Sequence, residues 1–148
     1  MSSPARSELS ESQIRNWIDR RAAAVRARDV DAAAALLAGP LVQFDVVGEL
    51  SSVGAQSAEK RLKDWLSSFT GPIDFDPAEI SITAAGDVGF AHCLNHVRAE
   101  KTGGGEIEMW WRSTMCFQRI DGRWKIVHQH DSVPFDPATG KARLDLKP

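Results

Sequence analysis

The spacing at which apolar residues recur along this chain changes once, at Gly71-Pro72. Before that dipeptide, apolar residues mostly recur every three to four positions, a period typical of amphipathic helices. After it, apolar and polar residues alternate along four successive runs, as they do in half-buried strands. A chain whose helices come first and whose strands then follow one another favours an α+β fold, with helices on one face of a largely antiparallel sheet.

Three helices are predicted in the first half of the chain. The first covers about residues 10–28, and a short second helix covers 30–37, with Asp29 placed to cap it. The third carries an apolar stripe over residues 58–69 and ends at Gly71-Pro72.

Five strands complete the predicted order α-α-β-α-β-β-β-β. The first covers about residues 41–47, and the other four form a meander whose members are 73–84, 88–101, 106–120 and 123–133. Such a sheet is expected to curl around the third helix and to leave an opening at one end, where small ligands usually bind. The domain limits follow: a disordered N-terminus over 1–9, one domain over 10–133 and a polar C-terminal tail over 134–148.

The composition argues against several classes of function. A formal net charge of −2 without a basic cluster predicts no nucleic-acid partner. No apolar stretch approaches the ~20 residues of a transmembrane helix, and the N-terminus has no recognisable secretory signal, so we expect no membrane partner and a cytoplasmic protein. Cys93 and Cys116 lie inside predicted strands without metal-ligand spacing, so reduced thiols and no metal site are expected.

The most distinctive motif begins with the turn Asp121-Gly122 and runs through the last strand to Ser132. It contains His128 and His130, whose spacing places both side chains on one face of the sheet. Histidine is the side chain that titrates near neutral pH without help, so this strand is a candidate for acid–base chemistry or ligand binding.

Together with the element order, residues 121–132 make the chain similar to the SnoaL-like branch of the NTF2-like superfamily, over about residues 10–132. The resemblance implies a cone-shaped α+β fold with a curved sheet. It also implies a cofactor-free protein that binds a hydrophobic small molecule. The same fold includes ketosteroid isomerase, scytalone dehydratase, limonene epoxide hydrolase and the non-catalytic association domain of calmodulin-dependent kinase II, so both an enzyme and a binding or assembly module are implied.

The chain departs from each of these enzymes. It has no tyrosine, so the tyrosine-centred mechanism of ketosteroid isomerase is not available in its usual form. Arg112 is followed two residues on by Thr114, where the epoxide hydrolase pattern has an aspartate. The resemblance therefore implies at most proton transfer, as in an isomerase, cyclase or dehydratase, on a hydrophobic carbonyl or acidic substrate.

The candidate residues lie on the first strand and on the last hairpin. The catalytic candidates are Asp45, His130 and Asp131. The candidates for ligand binding are Arg112, Thr114, His128 and Trp110, the last of which equally suits packing or an interface.

The register of the last hairpin decides which candidates share a face. If Asp121-Gly122 is a two-residue turn, Asp131 lies opposite Arg112 and the two form an ion pair. If the loop has three residues, His130 lies opposite Arg112, on a face shared with Thr114. An Asp-Gly sequence suits both turns, so both registers remain open.

Apolar residues occupy both faces of the terminal strands. Met115 and Phe117 alternate with Trp110 and Cys116 along one of them. Helices can cover only one face of this sheet, so we expect a second subunit to cover the other in a homodimer.

Overall fold

The computed structural model describes residues 4–148 and has the expected α+β architecture. Its elements, in chain order, are α1 (Pro4–Arg26), α2 (Val30–Ala34), β1 (Leu37–Phe44), β2 (Ser52–Val53), α3 (Ala55–Ser67), β3 (Phe69–Ala85), β4 (Val88–Lys101), β5 (Glu106–Ile120) and β6 (Arg123–Ser132). None of the helices in the described residues is long and apolar enough to cross a membrane.

The strands form one curved sheet in the order β2-β1-β6-β5-β4-β3. Neighbouring strands are antiparallel except for β1 and β6, which run parallel, so the sheet is mixed. The predicted limits of β4 and β5 are confirmed at both ends, because glycine-containing turns punctuate this part of the chain. β3 is an edge strand with an irregular register just after Pro77, which agrees with the edge or bulge predicted there.

The largest departures from the prediction lie in the first half. Residues 1–3 of the predicted disordered segment lie outside the described residues, but α1 begins at Pro4 rather than near residue 10. Proline suits the first turn of a helix because its missing N–H would have no partner there. The second helix ends at Ala34 rather than near residue 37, and β1 begins at Leu37 rather than near residue 41, so that it contains Pro40. Regular pairing of β1 with β6 resumes only at Val42, so Pro40 interrupts no ladder hydrogen bond.

Helix α1 supplies most of the helical side of the core. Ile14 and Trp17 are buried against strand residues, and the Trp17 ring meets Phe117 edge-on at 4.8 Å between centroids. The expectation that the sheet curls around the third helix is therefore wrong. In α3 only Ala58 and Leu66 are buried, whereas α1 buries apolar residues along its length.

Candidate functional site

The last hairpin has a two-residue turn. Ile120 pairs with Arg123, and both turn residues have positive φ, 51° at Asp121 and 77° at Gly122. This is the backbone of a type I′ turn, whose twist matches that of the flanking strands. Of the two loops that the sequence allowed, the shorter one is therefore present.

A bulge then shifts the register of the same hairpin. Val127 has no partner in the β5–β6 ladder, and beyond it the pairing moves by one residue. Arg112 consequently lies opposite Ser132, whereas the two predicted registers had Asp131 or His130 there, so both pairings were wrong. A bulge has this effect because one extra residue inverts the faces of everything that follows it.

The outer face of the sheet, which the helices do not cover, holds all four predicted binding residues and one predicted catalytic residue. The binding residues are Trp110, Arg112, Thr114 and His128, and the catalytic candidate is His130. Arg112 Nε donates to Ser132 Oγ at 3.1 Å, and His128 Nδ1 lies 2.7 Å from the Val42 carbonyl oxygen. Trp110 stacks on His96 at 4.6 Å between ring centroids.

All four histidines of the chain lie on this outer face. His92 is opposite Thr114 on the neighbouring strand, and Thr114 is in turn opposite His130. The exposed ring of Phe44 meets the rings of His128 and His130 edge-on, at 4.8 Å and 5.3 Å. Arg112 and Thr114 share a face with the two histidines, as the register with a three-residue loop predicted, although the turn itself has two residues.

Asp131 points to the inner face, toward helix α1. Gln129 Nε2 donates to both of its carboxylate oxygens, at 3.1 Å and 2.9 Å. Gln129 is itself buried and accepts a hydrogen bond at 2.8 Å from an N–H of Arg21, which α1 contributes. Arg21, Gln129 and Asp131 therefore form a chain of polar groups inside an otherwise apolar region.

Burial raises the pKa of the Asp131 carboxyl above its ordinary value. The positive charge of Arg21 and hydrogen bonding from Ser113 and Gln129 oppose this rise, and the negative charge of Asp45 adds to it. Desolvation dominates because an ionised carboxylate loses more hydration than these neighbours replace. The pKa of the Asp131 carboxyl is therefore higher than that of an exposed aspartate.

Asp45 lies near Asp131 at the end of β1 but is held differently. Arg61 of α3 donates to its Oδ2 at 2.8 Å, and the Val46 backbone N–H donates to its Oδ1 at 2.6 Å. Arg61 also donates to the Val47 carbonyl oxygen at 2.8 Å, so α3 holds the segment that follows β1. The two carboxyl groups therefore differ, since only Asp45 has a direct arginine partner.

A narrow cleft opens beside this chain of polar groups. Its lining is mainly apolar with a few polar side chains: Trp17, Ile18, Arg21, Phe75, Pro77, Cys93, Asn95 and Met115. With its mouth it spans about 220 Å³, but a water-sized sphere has only about 10 Å³ in which to move. That is roughly the minimum for holding one water molecule. Burial raises the pKa of the Cys93 thiol to about 11, so this cysteine is protonated and unreactive at neutral pH.

Of the sequence candidates, Asp45 and Asp131 lie near enough for their charges to interact, and the others lie on the outer face of the sheet. His130 is exposed on the outer face and does not share a site with its neighbour Asp131. Sequence reasoning missed Arg21 and Gln129. A signal existed for Arg21, because it lies four residues after Trp17, within the apolar stripe of α1. Among residues 4–148 no group of histidine, cysteine or acidic side chains is arranged to hold a metal ion.

Comparisons with known proteins agree on one family. The model of the SnoaL-like domain matches residues 14–136. An NTF2-like protein of unknown function from Pseudomonas putida KT2440 is 35% identical in sequence, with a TM-score of 0.87 over 96% of this chain and 99% of that one. No curated protein matches the chain.

Two more distant structures are similar in fold alone. A protein from Streptomyces avermitilis, provisionally described as a dehydratase of the NTF2-like family, is 14% identical, with a TM-score of 0.75 over 85% of this chain and 97% of that one. A protein from Xanthomonas campestris is provisionally described as a calcium/calmodulin-dependent protein kinase II association domain. It is 17% identical, with a TM-score of 0.73 over 99% of this chain and 95% of that one.

Proposed function

The chain belongs to the SnoaL-like domain family of the NTF2-like superfamily, and we propose that its inner cleft is a small-molecule site for proton transfer. The single observation that carries the proposal is the Asp131 carboxyl, which lies beside an apolar cleft, accepts hydrogen bonds from Gln129, itself held by Arg21, and has a raised pKa. A general acid or base works best when its pKa lies near the working pH. Desolvated carboxyls with shifted pKa values at or beside a cleft are typical of functional sites.

The chemistry that these residues suit is the movement of a proton next to a carbonyl group. The ionised Asp131 takes a proton from the carbon beside the carbonyl. The C–H electron pair forms a C=C bond, and the carbonyl π electrons move to oxygen. The charge of Arg21 stabilises the enolate that results. In a substrate with a second C=C bond, the C=O bond re-forms as the far carbon of the conjugated enolate takes the proton back, which completes an isomerisation. In a substrate with a hydroxyl group on the β carbon, the C=O bond re-forms as the C–O bond breaks and the departing hydroxyl takes the proton from Asp131 and leaves as water, which completes a dehydration. Neither reaction requires a cofactor.

Asp45 complements Asp131 in this proposal. The salt bridge from Arg61 at 2.8 Å fixes the side chain of Asp45, so that a second carboxyl group is held in place near Asp131. The cleft has room for about one water molecule, so binding of an organic substrate requires the lining side chains, Trp17 and Phe75 among them, to move apart.

Deuterium exchange tests the proposal without knowledge of the natural substrate. An enolisable ketone such as acetophenone is incubated with the protein in D₂O, and deuterium entering its methyl group is followed by NMR. We expect Asp131→Asn to reduce the protein-catalysed rate by about a hundredfold or more. The matched control is Asp74→Asn at an exposed position of β3, which should leave the rate unchanged. Equal rates in Asp131→Asn and the unmodified protein would contradict the proposal.

We propose a second function for the outer face of the sheet, which is assembly with another copy of the chain. Phe44 and Phe90 of that face are 38% and 50% exposed, and both signs of charge occur there, as in Arg98 paired with Glu106 at 3.0 Å. A face with apolar residues and both signs of charge suits a second copy of itself in an isologous homodimer.

Light scattering at micromolar concentration tests this assembly. The unmodified protein should have the mass of a dimer, and Phe90→Glu should shift it to the monomer. Leu50→Glu is the control, because Leu50 is 96% exposed on the loop before β2, away from the outer face of the sheet. A monodisperse monomer for the unmodified protein would refute the homodimer.

A further inference from the structure

Asn95 is a buried polar residue that the proposed proton transfer leaves unused. It is 4% exposed, and it is one of the side chains that line the cleft. Within residues 4–148, the one hydrogen bond of its side chain comes from the Cys93 thiol, which donates to Oδ1 at 3.5 Å. A thiol is a weak donor, and the two N–H groups of the carboxamide have no acceptor among these residues. Asn95 therefore brings unused hydrogen-bonding capacity to the wall of the cleft.

The surroundings of Asn95 explain why its carboxamide has so few partners. On the inner face of the sheet it lies in one row between Pro77 and Trp111, and neither of these side chains has a hydrogen-bond acceptor. Burial of an amide without partners is unfavourable, whereas an apolar side chain of similar size would carry no such penalty. Stability therefore does not account for an asparagine here, and its place in the lining of the cleft points to a ligand.

The space in the cleft indicates which chemical group suits this carboxamide. A water-sized sphere has about 10 Å³ in which to move, so the closed cleft has room for one small polar group. A hydroxyl group is similar in size to water. It can accept a hydrogen bond from Nδ2 of Asn95 and donate one to the second lone pair of Oδ1. A hydroxyl group therefore matches the carboxamide both in size and in hydrogen bonding.

We propose that Asn95 is a specificity-determining residue of the cleft and that its carboxamide binds a hydroxyl group of an otherwise apolar ligand. This inference rests on the proposed function in placing the ligand in the same cleft. The hydroxyl group is the preferred feature of the ligand because it supplies the partners that the protein does not provide.

The position of Asn95 separates this role from the proton transfer. Asn95 is on β4 and Asp131 on β6, with β5 between them, and Asn95 lies two residues beyond the row that Cys93 shares with Asp131. Strands about 4.8 Å apart and a rise of about 3.4 Å per residue put the two Cα atoms about 12 Å apart. Asn95 therefore binds the ligand away from the carbon on which Asp131 acts, and the bound hydroxyl group is not the reacting group.

Phenol and toluene are a matched pair of probes, because phenol has a hydroxyl group where toluene has a methyl group. Each is titrated into the protein at pH 7, where phenol is uncharged, and backbone and side-chain amide signals are followed by NMR. A purely apolar cleft would prefer toluene, since the hydroxyl group of phenol loses its hydration on binding. With a hydrogen bond to Asn95, phenol should bind about two- to tenfold more tightly than toluene. Phenol should also shift the side-chain amide signals of Asn95.

Two variants of Asn95 test whether the carboxamide causes this preference. Asn95→Leu keeps a side chain of similar size without polar atoms, and it should bind toluene more tightly than phenol. Asn95→Ala should reverse the preference in the same way, so that a packing defect in either variant does not decide the result. The matched control is Asn16→Leu, at the other asparagine of the chain, which is exposed on α1 and should leave the preference for phenol unchanged.

Three results would overturn the inference: toluene binding at least as tightly as phenol to the unmodified protein, a preference for phenol that survives in both variants of Asn95, or no binding of either probe. Deuterium exchange into acetophenone, which has no hydroxyl group, separates these failures from failure of the proposed function. If exchange depends on Asp131 but phenol is not preferred, proton transfer stands and the inference about Asn95 falls. If the preference for phenol depends on Asn95 and no exchange occurs, the inference stands and proton transfer falls.

Discussion

Gln129 is the residue whose removal should most clearly expose the energetics of the site. It is 3% exposed, accepts a hydrogen bond from Arg21 and donates to the carboxylate of Asp131. Each hydrogen bond to a charged group contributes about 1.5–3 kcal/mol. Gln129→Met keeps the length of the side chain and removes both interactions, so we expect it to destabilise the protein by about 3–6 kcal/mol. At roughly 3 °C per kcal/mol for a chain of this size, Tm should fall by about 9–18 °C.

Urea denaturation at several pH values measures this loss. The loss should shrink as the pH falls and Asp131 becomes protonated, because a neutral carboxyl depends less on its donor. Gln118→Met is the control, since Gln118 is an exposed residue of β5 and its replacement should change stability by no more than about 0.5 kcal/mol. The double variant Gln129→Met with Asp131→Asn should be more stable than the sum of the two separate effects predicts, because no carboxylate is left without its donor. A loss that is below about 1 kcal/mol, or that is independent of pH and additive in the double variant, would refute this account of the polar chain.

Three further outcomes are expected. Asp131→Asn should stabilise the protein increasingly as the pH rises. Because the pKa of Asp131 is raised in the folded state, the favourable contribution of the aspartate is complete below its ordinary pKa and is lost as the pH passes the raised value. The Tm of Asp131→Asn relative to the unmodified protein should therefore increase from pH 4 to pH 8. A thiol reagent at pH 7.5 should label half-buried Cys116 before buried Cys93, and mass spectrometry that finds Cys93 labelled first would count against this difference in burial. Ile126→Ala, at a side chain that is 0% exposed, should cost about 2–5 kcal/mol in urea denaturation, and a loss under 1 kcal/mol would show that its surroundings collapse to fill the space.

The sequence contained the information for elements that depend on local interactions. The limits of β4 and β5 follow from alternation and from turns rich in glycine. The cap of α2 is equally local: Asp29 accepts a hydrogen bond at 3.0 Å from the backbone N–H of Ala32. The family resemblance rested on the same order of elements and is confirmed by the match over residues 14–136.

The composition of the site, by contrast, was decided by the tertiary structure. Arg21 and Gln129 are 108 positions apart, so no local pattern could pair them. The face on which Asp131 lies depends on a bulge at Val127, and this bulge has no sequence signature of its own. Side chains in a strand alternate between faces with a period of two, so that one unpaired residue inverted the faces of all the residues after it and left an aspartate, rather than a histidine, beside the cleft.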